Sequence, residues 1–144
     1  MKVFQTLVAV SFLLIAGTTF AGEGGPIVSG YWEGNGQAIY PDGTSADITF
    51  VQAFLTQEGS FIYGDAGFMV IIGDNDPVEQ GGQMSGHISG NKITGLLGGC
   101  LPEAPACVGA GVFEGKICGN KLSGTIMDMS DGSTSVVTLH RMVD

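Results

Sequence analysis

A chain of 144 residues with 14 acidic against 5 basic side chains, a formal net charge of −9 and 25 glycines has the size of one domain with one core. Its negative balance disfavours nucleic acid and anionic lipid and leaves cations, basic proteins or neutral ligands as partners. The glycines follow no strict period and form no low-complexity tract, so they are expected at turns and at bends within strands, where a missing Cβ is an advantage.

Residues 1–21 have the make-up of a secretory signal peptide. Lys2 supplies the positive start, residues 3–16 an apolar run, and Thr19-Phe20-Ala21 a cleavage signal with small residues at its outer positions. The apolar run is shorter than the roughly 20 residues that a membrane helix needs, and no cysteine lies near the cut to carry a lipid. The expected mature chain, residues 22–144, is a single β-barrel domain. It is expected in the periplasm or outside the cell, with four basic against fourteen acidic residues.

Beyond that point, segments rich in Val, Ile, Phe, Tyr and Thr alternate with turn signals. The strands read as residues 28–40, 45–56, 60–72, 82–89, 92–98, 108–118, 121–129 and 133–142. Their connections are Pro41-Asp42-Gly43-Thr44, Glu58-Gly59, residues 73–81, Gly90-Asn91, residues 99–107, Gly119-Asn120 and Ser130-Asp131-Gly132. The short ones carry Gly, Asn or Asp where a hairpin demands positive φ.

One sentence is written twice. GHISGNKITGLL (86–97) and GKICGNKLSGTI (115–126) are identical at six of twelve positions at an offset of 29. Gly-Asn suits a type II′ turn, whose first central residue needs glycine-like geometry, so the repeat reads as a repeated hairpin. A helical repeat would carry six glycines at about 1 kcal/mol each. Eight antiparallel strands joined mostly by tight turns predict an all-β fold, an eight-stranded antiparallel up-and-down meander barrel. Closure removes exposed edges and leaves room for side chains or one small ligand. A two-sheet sandwich is the alternative.

Alternation assigns one face of each strand to the interior. The first strand offers Trp32, Gly34, Gly36, Ala38 and Tyr40, and the second Ile48, Phe50, Gln52 and Phe54. Phe113 and Ile117, Leu122 and Ile126, and Val137 and Leu139 follow. Val51 and Leu55 then fall on the outer face, as do Glu33, Asp47, Glu114 and Lys116. These charges argue against a membrane-inserted barrel, whose lipid-facing band must be apolar over about 25 Å.

Gly30-Tyr31-Trp32 on the first strand, with Arg141 near the end of the last, resembles the G-x-W signature and facing basic residue of the calycin superfamily of lipocalins, avidins and bacterial metalloprotease inhibitors. The resemblance spans the mature chain in strand order and length. It implies structural roles for Gly30, Trp32 and Arg141, the guanidinium lying over the indole where the first and last strands meet. The chain departs from lipocalins in stopping without room for their final helix. It departs from avidins in having one Trp, so biotin binding is not carried over.

Export implies an oxidising compartment, in which three cysteines make one disulfide and leave one thiol. Cys100 and Cys107 bracket CLPEAPAC and form the expected bridge. Cys118, far along a strand, is expected either as a free thiol or as the link of a covalent homo-oligomer. Asp74, Asp76 and Glu79 in the long turn lack the spacing of an EF-hand loop and read as solvated charge rather than a calcium site. His87 and His140 form no zinc pattern, and no G-x-S-x-G elbow is present. No enzyme, cofactor or metal is expected.

The leading expectation is a secreted barrel that binds a small apolar or amphipathic ligand in its interior, lined by Trp32, Tyr40, Phe50, Gln52, Phe54 and Phe113. The alternatives are a protein-binding module such as a protease inhibitor, which would use residues 22–29, and a self-assembling surface protein.

Overall fold

A computed structural model describes residues 26–143; the expected signal peptide lies outside them. The described residues form eight strands and no helix: β1 (Gly30–Ile39), β2 (Ser45–Glu58), β3 (Phe61–Ile71), β4 (Val78–Ser89), β5 (Lys92–Gly99), β6 (Ala106–Cys118), β7 (Lys121–Asp128) and β8 (Thr134–Arg141). Each pairs antiparallel with the next, and β1 pairs with β8 from Trp32↔Arg141 to Ile39↔Thr134, so the sheet closes into a barrel in meander order. Where β5 stops at Gly99, its neighbours β4 and β6 meet directly at Gln80↔Ala106 and Gly81↔Cys107.

The repeated sentence is a repeated hairpin with one register. Gly86 faces Gly95 and Ser89 faces Lys92 in the first copy; Gly115 faces Gly124 and Cys118 faces Lys121 in the second. Gly90 and Gly119 both have φ of 60°, and no non-glycine residue has positive φ, as a type II′ turn with glycine at its first central position requires. The inward glycines of the second copy make room for a ring. A Cβ on Gly115 would stand 2.7 Å from Phe113 Cζ, and one on Gly124 2.9 Å from Phe113 Cε2. Phe113 therefore lies flat across two strands and fills the barrel at mid-height.

One strand breaks the alternation. Between β1 and β2 the register runs Gly34↔Val51 and then Gly36↔Ile48, so Thr49 and Phe50 share one partner, Asn35. Between β2 and β3 it runs Ile48↔Val70 and then Phe50↔Met69. This is a β-bulge with Thr49 as the extra residue, and it shifts the side-chain phase by one. Ile48 faces inward, but beyond the bulge the inward set is Val51, Ala53 and Leu55, with Val51 at 2% and Leu55 at 5% exposure. The expected inward placement of Phe50, Gln52 and Phe54 is corrected accordingly: all three face out, Phe50 at 38% and Phe54 at 57% exposure.

The hairpins β2–β3, β4–β5 and β6–β7 turn at one end of the barrel, where β8 also finishes. This end is the floor. Trp32, Ile62, Ile93, Ile117, Leu122 and Val28 are all fully buried there or just above it, and burying each such side chain contributes about 1.5–3 kcal/mol. The opposite end, ringed by the β1–β2, β3–β4, β5–β6 and β7–β8 connections, is the mouth. Cys100 and Cys107 are disulfide-bonded beside it, with Cα atoms 4.3 Å apart.

Candidate functional site

The floor is assembled from the two ends of the barrel sheet. Arg141 lies over the Trp32 ring, its Cζ 4.6 Å from the ring centroid. It also donates through Nη1 to the Ser29 carbonyl and through Nη2 to the Ile27 carbonyl. Trp32 donates Nε1–H to the Val28 carbonyl at 2.8 Å, and the Val28 amide donates to Gln57 Oε1 at 2.7 Å. Gly30 has a φ of 133°, so the position favours glycine on backbone grounds, and a Cβ there would lie in ordinary contact, 3.4 Å from Arg141 Nη1. Val28 and Ser29, part of the segment expected to serve an inhibitor, are bound into this floor.

Above the floor the barrel is filled. A void among Val51, Phe68, Met84, Phe113 and Leu139 measures about 30 Å³ and has no polar lining, room for little more than one water. Phe113 is buried beside it. Trp32, beneath Arg141, is part of the floor. Of the six residues expected to line a ligand, only Tyr40 reaches the cavity described next.

That cavity opens at the mouth and measures about 330 Å³. Ala38, Ile48, Phe68, Val70, Leu97, Val108 and Ile126 wall it, and Tyr40, Gln80, Asp128, Asp131, Ser133 and Ser135 form its polar edge. Most of the wall belongs to or packs against the barrel core. Two side chains of the β7–β8 connection are fixed by local bonds. Asp128 Oδ1 accepts from the Ser130 amide at 2.8 Å and its hydroxyl at 2.5 Å, and Asp131 Oδ1 accepts from the Ser133 amide at 2.8 Å. Asp128 faces inward because its strand positions Leu122, Gly124 and Ile126 do. A Cβ on Gly109 would stand 3.0 Å from Asp128 Oδ2, so the glycine across the sheet provides space for the carboxylate.

Positive charge is segregated along the barrel axis, whereas carboxylates lie at both ends, Glu33, Glu58 and Glu114 among them toward the floor. Asp42, Asp47, Asp74, Asp76, Glu79 and Glu103 lie at or near the mouth together with Asp128 and Asp131. Among the described residues every lysine and arginine lies toward the floor: Lys92 and Lys121 begin strands there, and Lys116 and Arg141 approach the ends of theirs. At the rim, Asp42 Oδ1 accepts from the Thr44 hydroxyl at 2.6 Å and its amide at 2.9 Å. The hydroxyl bond first and the amide bond second hold its carboxyl below the ordinary carboxylate value.

Two concavities lie on the outer wall. The larger, about 550 Å³, is an open groove across β5–β8 edged by Lys92, Glu114, Lys116 and Thr125, and no described residue stands over it to enclose a ligand. The smaller, about 160 Å³, runs beneath the disulfide loop between Phe54, Asp65, Glu79, Leu101 and Glu103. Beside it Tyr31 stacks on Phe54 with centroids 4.4 Å apart. Its hydroxyl donates to Glu33 Oε1 at 2.5 Å. That bond, with desolvation and the charge of Glu33 adding to it, pushes the phenol up from 10.0 to about 12.

No protein-family model and no curated protein matches the sequence. Among solved structures, the crystal structure of Rv2717c from M. tuberculosis is similar over 81% of this chain and 93% of that one, with a TM-score of 0.49 and 18% identity. Likeness of that degree carries no functional argument, and the barrel assignment rests on the strand pairing itself.

The mouth cavity joins an apolar wall of core side chains to a polar edge, the combination that holds and orients small molecules. Sequence alternation passed over Gln80, Asp128, Ser133 and Ser135 because it weighed rings rather than short polar residues at strand ends. The available signal was positional: Ser133 and Ser135 precede the inward Val137 and Leu139 at even spacing, and Asp128 follows Leu122, Gly124 and Ile126 in the same way.

Proposed function

We propose that this protein is an exported binding barrel that holds a small amphipathic ligand in its open mouth. One observation carries the reading: the floor is sealed and the middle filled, while the mouth keeps a cavity of about 330 Å³ with apolar walls and a polar edge. That volume falls at the lower end of the roughly 300–1,000 Å³ usual for small-molecule sites. The ligand therefore sits at the entrance, above Phe113, and not along the axis. Export is supported by the leader-like composition of residues 1–21 and by the Cys100–Cys107 bridge. The calycin-like reading is supported by Gly30, Trp32 and Arg141 acting together at the closure of β1 on β8. The role is binding, not catalysis.

The test is native mass spectrometry of the secreted protein for a co-purified small molecule, together with titration of the fluorescent probe 1-aminoanthracene. Ser135→Trp, which fills the mouth from its edge, is expected to abolish probe binding without lowering the melting temperature. Probe binding undiminished in that variant refutes the mouth as the site.

A protein-binding role has one observation in its favour. Leu96, Val112, Met127, Thr134 and Ile39 are consecutive cross-strand partners on the outer face of β5, β6, β7, β8 and β1, and Leu96, Met127 and Ile39 are exposed. Such a row suits a partner surface or self-association better than it suits a monomer. Cys118, also exposed and free, would permit a covalent homo-oligomer. Concentration-dependent sedimentation of wild type against Leu96→Ser/Met127→Ser decides: identical monomers in both discard this reading.

A further inference from the structure

We infer that the mouth selects amphiphiles with a positively charged head, an inference that rests on the mouth being the ligand site. Three observations lead to it. The first is the segregation of positive charge described above, which leaves the mouth surrounded by carboxylates and keeps every described lysine and arginine toward the floor. Low-dielectric walls beneath such a ring concentrate its field in the opening, and a ligand of opposite sign gains both in encounter rate and in residence.

The second is the state of the two carboxylates on the cavity edge. Asp128 and Asp131 each use Oδ1 for bonds within their own turn, and neither Oδ2 has a hydrogen-bond partner among the described residues. The turn bonds hold both side chains in place, leaving one acceptor oxygen on each for an incoming donor. A charged donor is the stronger partner for such an oxygen. An anionic head would meet carboxylates with no cation nearby to offset them.

The third is the geometry of the walls. Val108 and Ile126 flank Gly109 and Asp128 at the same edge of the cavity, so an alkyl or aromatic body can lie on the apolar wall while its ammonium group reaches Asp128 without leaving the cavity. Gly109 is a specificity element in this arrangement, because its missing Cβ is what admits the carboxylate.

The experiment is calorimetric titration of the full mature protein with dodecylammonium, whose N–H groups can donate to the free oxygens, dodecyl sulfate and dodecyl maltoside, each below its critical micelle concentration, at low and at physiological salt. The cationic probe is expected to bind at least about tenfold more tightly than the other two at low salt, and the preference to shrink as salt screens the rim over a Debye length of about 8 Å. Asp128→Asn/Asp131→Asn, which keeps both Oδ1 acceptors and the turn, is expected to erase the preference, bringing the affinity for the cationic probe down to that for the neutral maltoside. Equal affinity for the three probes overturns the charge selection while leaving the mouth reading intact; binding of none overturns both. A cation preference that survives in the double variant overturns the assignment to these two carboxylates. Trp32 emission, reporting from the opposite end, verifies that each variant and each titrated sample is folded.

Discussion

Arg141→Ala tests whether the floor closes the barrel as the geometry requires. The variant loses a cation–π contact made at 4.6 Å over a fully buried indole, worth about 1–2 kcal/mol when partly desolvated. It also loses two charged hydrogen bonds to the carbonyls of Ser29 and Ile27, each worth about 1.5 kcal/mol at the low end that suits a half-exposed arginine. Some of this is recovered by water reaching the freed carbonyls, so the expected loss is about 3 kcal/mol, or a melting temperature lower by roughly 10 °C for a domain of this size. The assay is urea and thermal unfolding followed by fluorescence, which the single Trp makes specific to this end of the barrel. Arg141→Lys keeps the charge but not the planar fork and is expected to recover less than half of the loss. A change within about 0.5 kcal/mol for Arg141→Ala, the usual range for a surface substitution, would show that the floor closes without the arginine. Complete rescue by lysine would reduce the contact to simple charge.

The shifted phase of β2 predicts a reversal of the simple alternation: Leu55→Ala is expected to lose about 2–5 kcal/mol as a buried truncation, and Phe54→Ala, although the larger cut, less than about 1 kcal/mol. Denaturant midpoints compare the two directly. Cys100→Ser/Cys107→Ser opens a loop of eight residues and is expected to lose about 2.5 kcal/mol by the loop-entropy relation, while Cys118→Ser is expected to leave stability unchanged; the same unfolding curves decide both. Tyr31, whose folded value is raised to about 12 from 10.0 by its bond to Glu33, stabilises the fold fully below pH 10 and loses that contribution as pH rises toward 12. Ultraviolet titration of the tyrosinate should therefore show a late component that returns toward pH 10 in Glu33→Gln.

The architecture was legible because local chemistry and global topology agree. Gly90-Asn91 and Gly119-Asn120 announce hairpins, the duplicated GNK sentences fix their register, and alternation in β1, β6, β7 and β8 places Trp32, Phe113, Leu122, Val137 and Leu139 inside as found. The site was less legible, for two physical reasons. A ligand-lining reading weighted aromatic residues, yet the inward ring at mid-barrel, Phe113, is filler laid over glycines, and the cavity edge is made by Asp128, Ser133 and Ser135. The bulge also left no mark in composition. The segment Ile48-Thr49-Phe50-Val51 supports either phase, since Phe50 and Phe54 are as apolar as Val51 and Leu55. Only the pairing with β1 and β3 decides between them.

That bulge also separates two kinds of surface built from one strand, and it can be tested by removing a residue. In the observed register Thr49 has no partner of its own: Ile48 faces Gly36 and Val70, Val51 faces Gly34, and Phe50 faces Met69. Deleting Thr49 therefore leaves a regular strand in which Phe50 opposes Asn35, Ile48 still faces the mouth, and Val51, Ala53 and Leu55 still face the core. Among the described residues the side-chain bond lost is the weak one from Thr49 Oγ1 to the Met69 carbonyl at 3.3 Å. Deleting Gln52 instead removes a residue from regular ladder, which throws either Val51 or Ala53 and Leu55 to the wrong face. The Thr49 deletion is expected to fold cooperatively with a loss of about 1–2 kcal/mol from the altered strand bend, and the Gln52 deletion to fail to fold. Near-ultraviolet circular dichroism and urea unfolding distinguish the two. If both deletions unfold the chain, the extra residue is integral to barrel closure; if both are tolerated, the phase of β2 is not set by its pairing, and the correction that moved Phe50, Gln52 and Phe54 to the outer wall loses its physical basis.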